Sequence, residues 1–103
     1  MNKEYELNIY RICQESISNI IKHAKCAEFY IQLLLDENLL KLVISDDGKG
    51  FNVREYLSEG RSSLGLLNIR ERAENYNGTM SIISAPEEGT TIFIKFNLDK
   101  IHD

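Results

Sequence analysis

The sequence predicts an α+β domain, a two-layer α/β sandwich in which helices cover one face of a mixed, mostly antiparallel sheet. Two observations predict it. In two segments apolar residues recur every three or four positions, as they do on one face of a helix. Four shorter apolar runs of strand length form two pairs, each joined by a polar turn. The order helix, hairpin, helix, hairpin favours a hairpin-built sheet with its helices on one side.

Length and composition narrow the possible functions. With 103 residues, of which 43% are hydrophobic and 27% charged, residues 1–103 are expected to form one globular domain. No apolar stretch approaches the ~20 residues of a membrane span and no secretory leader is visible, so we expect a cytoplasmic domain with reduced cysteines. The net charge of −4 argues against nucleic acid as a partner. It still permits a phosphate ligand, because backbone amides at helix ends bind anions.

The first helix is predicted over residues 7–24 and presents a polar face. Glu15 and Asn19 are four residues apart, so their side chains lie one above the other, and Lys22 continues that stripe. An acid, an amide oxygen and a cation on one rigid face suit a metal–phosphate ligand, because Mg²⁺ takes a few hard oxygen ligands and keeps several waters. The alternative is a solvated face with an ordinary Glu15–Asn19 pair. The predicted apolar stripe comprises Ile9, Cys13, Ile17, Ile20, Ile21 and Ala24.

The first hairpin, with strands over residues 28–35 and 39–45, ends in an acidic, glycine-rich segment, Asp46-Asp47-Gly48-Lys49-Gly50. An ionised carboxylate only accepts hydrogen bonds, so Asp46 could receive the exocyclic amino group of a base. Gly48 and Gly50 would let a flat ring lie against the backbone, since neither carries a Cβ. The alternative is an Asx-type turn after a strand.

A long loop over residues 52–64 precedes the second helix, which is predicted over residues 66–76 and ends at the stop signal Asn77-Gly78. The loop has few large apolar residues, and a loop of this length in a small domain is usually functional or mobile. Gly65 and the exposed amides at the helix start, beginning with Leu66, could form an anion site. Ordinary capping of the helix is the alternative.

The second hairpin is predicted over residues 79–84 and 90–98, with its turn at residues 86–89. Its last strand opens with Gly89-Thr90-Thr91. The hydroxyl of Thr90 could bond to a ligand or to a bridging water. The alternative is a hairpin turn followed by a residue that favours strands.

Four segments, in this order, resemble the ATP-binding boxes of bacterial sensor histidine kinases. Residues 11–24, RICQESISNIIKHA, resemble the N box, and residues 46–51, DDGKGF, resemble the first glycine box. Residues 65–73, GLLNIRERA, and residues 89–91, GTT, resemble the second and third glycine boxes. The resemblance extends over residues 7–98. The QES and NIRERA sequences within it resemble the nitrate-sensor-like branch of these kinases.

This resemblance implies the Bergerat (GHKL) ATP-binding fold, which is shared with gyrase, Hsp90 and MutL ATPases, with ATP and Mg²⁺ as cofactors. Residues 52–64 would be the ATP lid. The implied site residues are Asp46 as the acceptor of the adenine amino group, with Gly48 and Gly50 beside the ring and Thr90 assisting through water, Glu15 as the general base, Asn19 as the Mg²⁺ ligand, and Lys22, Gly65 and Leu66 at the phosphates.

The implied activity is transfer of the ATP γ-phosphoryl group to a histidine in two-component signalling. That histidine belongs to a helical dimerisation domain, which is expected as the partner, with a response regulator as an indirect one. The present chain lacks that domain and is expected to be a fragment of a larger kinase. The strand that usually precedes the N-box helix is missing or shortened, so one sheet edge is expected to be exposed. The alternatives are a serine kinase that silences a sigma factor and a non-catalytic, nucleotide-responsive interaction module.

Overall fold

A computed structural model describes residues 3–25, 28–54 and 66–98. Within these ranges no helix is both long and apolar enough to cross a membrane. The elements are helix α1 (Lys3–Asn19), a π-helical turn (Ile20–Ala24), strands β1 (Phe29–Asp36) and β2 (Leu39–Asp46), helix α2 (Leu66–Glu74), and strands β3 (Gly78–Ser84) and β4 (Thr90–Asn97).

The four strands form one open sheet in the order β1-β2-β4-β3, and every neighbouring pair is antiparallel. Each hairpin supplies one edge strand and one central strand, and the hairpins join along β2 and β4. The predicted strands agree with the observed ones to within one residue at each end, because their apolar runs are bounded by polar turns. The predicted α+β class with a mostly antiparallel sheet is confirmed.

The core lies between the helices and one face of the two central strands. Residues two apart on a strand share a face, and alternate residues of β2 and β4 are almost fully buried on that face. Helix α1 places Tyr5 over them, where its ring packs edge-to-face on Phe96 and on Tyr76, with centroids 5.3 and 5.7 Å apart. The buried apolar side chains are Tyr5, Ile9, Ile12, Ile20, Leu40, Leu42, Ile44, Leu66, Ile69, Ala73, Ile92, Ile94 and Phe96.

The predicted apolar stripe of α1 was partly wrong. Ile9 and Ile20 are buried and Cys13 is half-buried, but Ile21 is 73% exposed. The helix begins at Lys3, so its buried face also includes Tyr5 and two polar residues, and the π-helical turn that starts at Ile20 changes the angular position of the residues after it. The burial of Cys13 raises the pKa of its thiol, which favours the protonated, unreactive form.

Asn8 and Ser16 can be buried because each has a hydrogen-bond partner. The Ser16 hydroxyl donates to the Ile12 carbonyl one turn earlier, at 2.8 Å. The Asn8 side-chain amide donates to the Arg72 carbonyl, also at 2.8 Å, and thereby ties α1 to the last turn of α2. Burying a polar side chain costs free energy unless it has a hydrogen-bond partner. Asn8 and Ser16 each have one, so they can lie on the buried face of the helix.

The last turn of α2 has all four of its terminal carbonyls paired. Such carbonyls have no partner within their own helix. Here Asn8 takes the Arg72 carbonyl, while the amides of Asn75, Tyr76 and Asn77 take those of Glu71, Ala73 and Glu74. Asn77 then reverses the chain in a left-handed conformation, with φ of 62°, as the predicted Asn-Gly stop requires.

Candidate functional site

One end of the sheet is polar on the face that elsewhere forms the core. Asp46 is the register partner of Thr90, and Thr90 is the partner of Ser84 on the other side. The three residues therefore lie side by side across β2, β4 and β3, on the same face as the buried residues two and four positions away. All three are half-buried. The structure thus places Asp46 next to Thr90, two residues that the family resemblance had assigned to the same base.

The Asp46 carboxylate makes a local bond and keeps one oxygen for another donor. Its Oδ1 accepts the Gly48 amide at 2.9 Å, which is the Asx-type turn that the sequence offered as an alternative. Among the described residues, this is the only hydrogen bond that reaches the carboxylate. Oδ2 can therefore accept from a bound molecule while Oδ1 holds the turn, so the two interpretations of Asp46 are compatible.

A short chain of hydroxyls fixes the hydrogen of Thr90. Ser84 Oγ donates to the Gly89 carbonyl at 2.9 Å and lies 2.8 Å from Thr90 Oγ1. A hydroxyl has one hydrogen, so with the Ser84 hydrogen used on Gly89, Thr90 is the donor to Ser84. The remaining capacity of Thr90 Oγ1 is as an acceptor. Ser84 was missed by the sequence analysis, although its place opposite Thr90 follows from the predicted hairpin turn.

The glycine segment after β2 lies against the turn between β3 and β4. The Phe51 amide donates to Ser84 Oγ at 3.0 Å, and the Glu87 amide donates to the Lys49 carbonyl. Gly50 has φ of 59°, and a Cβ there would overlap the Ala85 carbonyl. The close approach that the sequence assigned to a flat ligand is therefore made, at Gly50, by the protein's own backbone. Gly48 is buried and donates to Asp46.

The helix side of the candidate site joins α1 to the start of α2. Glu15 Oε1 accepts from Asn68 Nδ2 at 3.4 Å, and Asn68 lies in the first turn of α2. The side chain of Leu66, the first residue of α2, is buried in the core. Its role toward a ligand is therefore confined to its backbone amide, one of those that a helix start leaves unpaired within the helix. Gly65 and most of the predicted lid, residues 55–64, lie outside the described residues.

Asn19 and Lys22 flank the point where α1 changes its geometry. Asn19 is the last α-helical residue and is half-buried, and the π-helical turn follows directly. Such turns within α-helices are frequent at functional sites. Lys22 is exposed on the outer surface of the helix, where it lines a shallow depression of about 340 Å³ together with Gln14, Ile17, Ser18 and Ile21.

The protein groups available here suit a magnesium ion that is held mainly by the oxygens of a bound phosphate compound. The described part of the chain contains no group of three or more His, Cys, Asp or Glu residues that could hold a metal. Asn19 supplies one amide oxygen on a rigid helix. Mg²⁺ in phosphate sites is commonly bound through one or two protein oxygens, with phosphate oxygens and waters completing the shell, so a single protein ligand fits this ion.

Comparison with known proteins places the chain among ATPase domains. Residues 4–100 match the profile of the histidine kinase-, DNA gyrase B- and HSP90-like ATPases. The chain is 43% identical over 98 residues to the sensor protein VraS of Staphylococcus saprophyticus and 41% identical over 101 residues to that of Staphylococcus haemolyticus. These matches cover 95% and 98% of the chain but 27% and 28% of the relatives. The chain thus spans less than a third of their length.

Solved structures show the same fold at low sequence identity. The histidine kinase AdeS of Acinetobacter baumannii superposes with a TM-score of 0.76 at 19% identity, over 90% of this chain and 47% of that one. The ATP-binding domain of PrrB from Mycobacterium tuberculosis gives 0.73 at 21% identity, over 88% of this chain and 67% of that one. With the profile matched over nearly its whole length, the chain belongs to the family of histidine kinase-, DNA gyrase B- and HSP90-like ATPases.

Proposed function

We propose that residues 1–103 are the ATP-binding catalytic domain of a sensor histidine kinase of the nitrate-sensor-like branch. The domain binds Mg-ATP and, within the full-length protein, transfers the γ-phosphoryl group to a histidine of a helical dimerisation domain. The observation that carries this proposal is the pairing of Asp46 with Thr90 at the polar end of a strand face that is otherwise apolar and buried. The 43% identity to a sensor protein supports it.

Adenine recognition follows from the hydrogen-bonding capacities of Asp46 and Thr90. The adenine amino group donates to Asp46 Oδ2, because Oδ1 already holds the Gly48 amide. A water donates one hydrogen to Thr90 Oγ1, whose own hydrogen goes to Ser84, and the other to a ring nitrogen of the base. Gly48, whose amide holds the Asp46 turn, leaves this part of the pocket without a side chain. Guanine presents a carbonyl oxygen where adenine has its amino group, so the carboxylate disfavours it.

The triphosphate lies toward α1 and the start of α2. Asn19 contributes the amide oxygen that ligates Mg²⁺, which when bound neutralises phosphate charge. Lys22 reaches the phosphates with its long side chain, and the amides around Gly65 and Leu66 bind phosphate oxygens at the helix start. Glu15 is the general base that accepts a proton from the attacking imidazole. Catalysis of this kind consists mainly of positioning and charge stabilisation.

Isothermal titration with Mg-ATP tests the pocket. We expect Asp46→Asn to weaken binding about 10- to 150-fold, the value of one hydrogen bond to a charged group of about 1.5–3 kcal/mol. Asp47→Asn is the matched control, because it removes the same charge from the adjacent residue, whose carboxylate accepts the Glu28 amide. Equal weakening by both variants, or equal affinity of the wild type for ATP and GTP, would contradict the assignment of Asp46.

Phosphotransfer is tested separately by adding the dimerisation domain of the parent kinase in trans with labelled ATP. We expect an acid-labile phosphohistidine on that domain, which passes its phosphoryl group to a response regulator. An acid-stable phosphoserine on a partner protein would instead identify the serine kinase. Binding of ATP without any labelled partner would identify a non-catalytic interaction module. In the cell we place the domain on the cytoplasmic side of its parent protein, where ATP is available.

A further inference from the structure

Ser84 lies where three segments of the candidate site meet, and its hydroxyl bonds to each of them. It accepts from the amide of Phe51, just after the glycine segment, at 3.0 Å, and donates to the Gly89 carbonyl of the hairpin turn at 2.9 Å. On β4 it lies 2.8 Å from Thr90 Oγ1. A hydroxyl has one hydrogen and two lone pairs, so these three bonds use its whole capacity. Any effect of Ser84 on a ligand must therefore act through its neighbours.

The saturation of Ser84 fixes the hydrogen-bonding polarity of Thr90. Because the Ser84 hydrogen goes to Gly89, the bond between the two hydroxyls is made by the hydrogen of Thr90. Thr90 Oγ1 then offers only lone pairs to the pocket. If the Ser84 hydroxyl were removed, the Thr90 hydroxyl would be free to rotate and to donate into the pocket.

Asp46 stands beside Thr90 and has the same polarity. The two residues are register partners, and an ionised carboxylate only accepts hydrogen bonds. The polar end of β2 and β4 is therefore a row of two acceptors, which requires donors from whatever lies on it. A base with an amino group meets this requirement. A base with a carbonyl group at the same position presents a third acceptor instead.

We propose that Ser84 is a positioning residue that contributes to the choice of nucleotide: by holding the Thr90 hydrogen, it disfavours purines that carry a carbonyl oxygen in place of the adenine amino group. This inference rests on the proposed binding of ATP at Asp46 and Thr90. Asp46 supplies the larger part of the discrimination, because a hydrogen bond to a charged group is stronger than one between neutral groups.

The water that bridges Thr90 and the base transmits the effect of Ser84. While Thr90 only accepts, one hydrogen of this water is used on Thr90 and one remains for the base, which suits the ring nitrogen of adenine. Once Thr90 donates to the water, both hydrogens of the water are free. The water can then donate to a carbonyl oxygen of the base and to Asp46 together, which relieves the clash between those two acceptors. Adenine gains little, because its amino group already bonds to Asp46.

A second pair of hydroxyls in the same strands provides a matched control. Ser45 Oγ lies 2.8 Å from Thr91 Oγ1, the same distance as in the pair of Ser84 and Thr90. Neighbouring residues of a strand point to opposite faces, so Ser45 and Thr91 lie on the face of the sheet that is turned away from the candidate site. Loss of this pair should affect stability without affecting the base.

Competition against a fluorescent ATP analogue, with ATP and with inosine triphosphate as competitors, tests the inference. Inosine triphosphate carries a carbonyl oxygen in place of the amino group. We expect Ser84→Ala to reduce the preference for ATP by about 2- to 10-fold, the value of one neutral hydrogen bond. Ser45→Ala should leave the preference unchanged. Equal weakening of both nucleotides by Ser84→Ala would show a purely structural role and overturn the inference.

A double-mutant cycle shows whether Ser84 acts through Thr90. Thr90→Val replaces the hydroxyl by a methyl group, so in that background there is no Thr90 hydrogen for Ser84 to hold. Ser84→Ala should then leave the preference for ATP over inosine triphosphate unchanged, whereas independent contributions would add. A preference that falls by the same factor in both backgrounds would overturn the inference.

Failure of this inference is distinguishable from failure of the proposed function. If the wild type binds no ATP, or if Asp46→Asn leaves its affinity unchanged, the proposed pocket is wrong and the role of Ser84 falls with it. If the wild type binds ATP through Asp46 and Ser84→Ala keeps the full preference for ATP, only the role of Ser84 is wrong.

Discussion

The two ends of the central strand pair differ in chemistry although they share one hydrogen-bond ladder. At the apolar end, Leu40 of β2 lies opposite Phe96 of β4, and both are buried under α1 and α2. At the polar end, six residues along each strand, Asp46 lies opposite Thr90 and both are half-buried. The ladder fixes where side chains stand, and their chemistry decides whether a position packs or is available to a ligand. We therefore expect the apolar end to determine stability and the polar end to determine binding.

Truncation of the apolar end should have the largest effect. Phe96→Ala removes a fully buried ring that packs on Tyr5 and lies against Gly78, where an added Cβ would be 2.7 Å from the ring. We expect the free energy of unfolding to fall by about 3–5 kcal/mol, as for other buried aromatic side chains. Urea denaturation measures it. Lys95→Ala, at the adjacent exposed position, should change stability by no more than about 0.5 kcal/mol.

The polar end also contains one position where backbone geometry matters more than side-chain chemistry. Gly89 has φ of 76°, and a Cβ there would overlap the Asp46 carbonyl. We expect Gly89→Ala to lower the free energy of unfolding by about 2–5 kcal/mol, since left-handed strain and overpacking add. Such a loss would show that a residue at the polar end contributes to stability, which we otherwise expect of the apolar end.

Glu87→Gly is the matched control in the same turn. Glu87 also has positive φ, at 66°, but as a non-glycine residue. Glycine adopts that conformation without a steric penalty, so the variant should be neutral or slightly stabilising in urea denaturation. A Gly89→Ala protein as stable as the wild type would show that the turn rearranges to accommodate a Cβ at little cost in free energy.

Asn8 tests whether the protein core tolerates a buried polar group only when that group has a hydrogen-bond partner. Asn8→Ala leaves the Arg72 carbonyl without the side-chain donor that it has now. We expect a loss of about 1–3 kcal/mol in the free energy of unfolding, the cost of an unsatisfied buried group. Arg11→Ala, an exposed change on the same helix, is the reference in the same thermal melts. Equal stability of the two variants would count against this bond.

The Tyr5 hydroxyl should have the smallest effect on the free energy of unfolding at neutral pH, and a measurable effect in alkali. Burial raises the pKa of its phenol above the ordinary value of 10.0. The folded protein then retains a proton that the unfolded chain loses, so stability is constant below pH ~10 and decreases as the pH rises further. Thermal melts between neutral and strongly alkaline pH would show the decrease. Tyr5→Phe should have a shallower decrease, and identical slopes would exclude Tyr5 as its source.

Most of the fold could be predicted because its signals are local. Apolar runs bounded by turn residues predicted the hairpins, and Asn77 with Gly78 marked the end of α2. The buried face of α1 could not be predicted fully, because Asn8 and Ser16 are buried through hydrogen bonds that involve other residues. A hydrophobic pattern has no means of showing such partners.

The candidate site was predicted residue by residue, but its internal contacts were not. Only the family resemblance placed Asp46 and Thr90 at the same base, because their pairing depends on how two hairpins dock, which no local pattern reports. Ser84 was missed because a serine at the end of a strand indicates no function until its hydrogen-bond partner across the hairpin, Thr90, is considered. Gly50 was assigned to a ligand, whereas the space that a Cβ would need there is occupied by the Ala85 carbonyl.

The pairing of β2 with β4 also has a kinetic consequence. Each hairpin is made of neighbours in sequence and can close quickly, whereas Asp46 and Thr90 come from opposite halves of the chain and meet only after a long loop has closed. The polar end, which we propose to bind adenine, is thus assembled late in folding. Nucleotide capture during refolding should lag behind the formation of secondary structure, so a fluorescent ATP analogue would report the moment at which the two halves join.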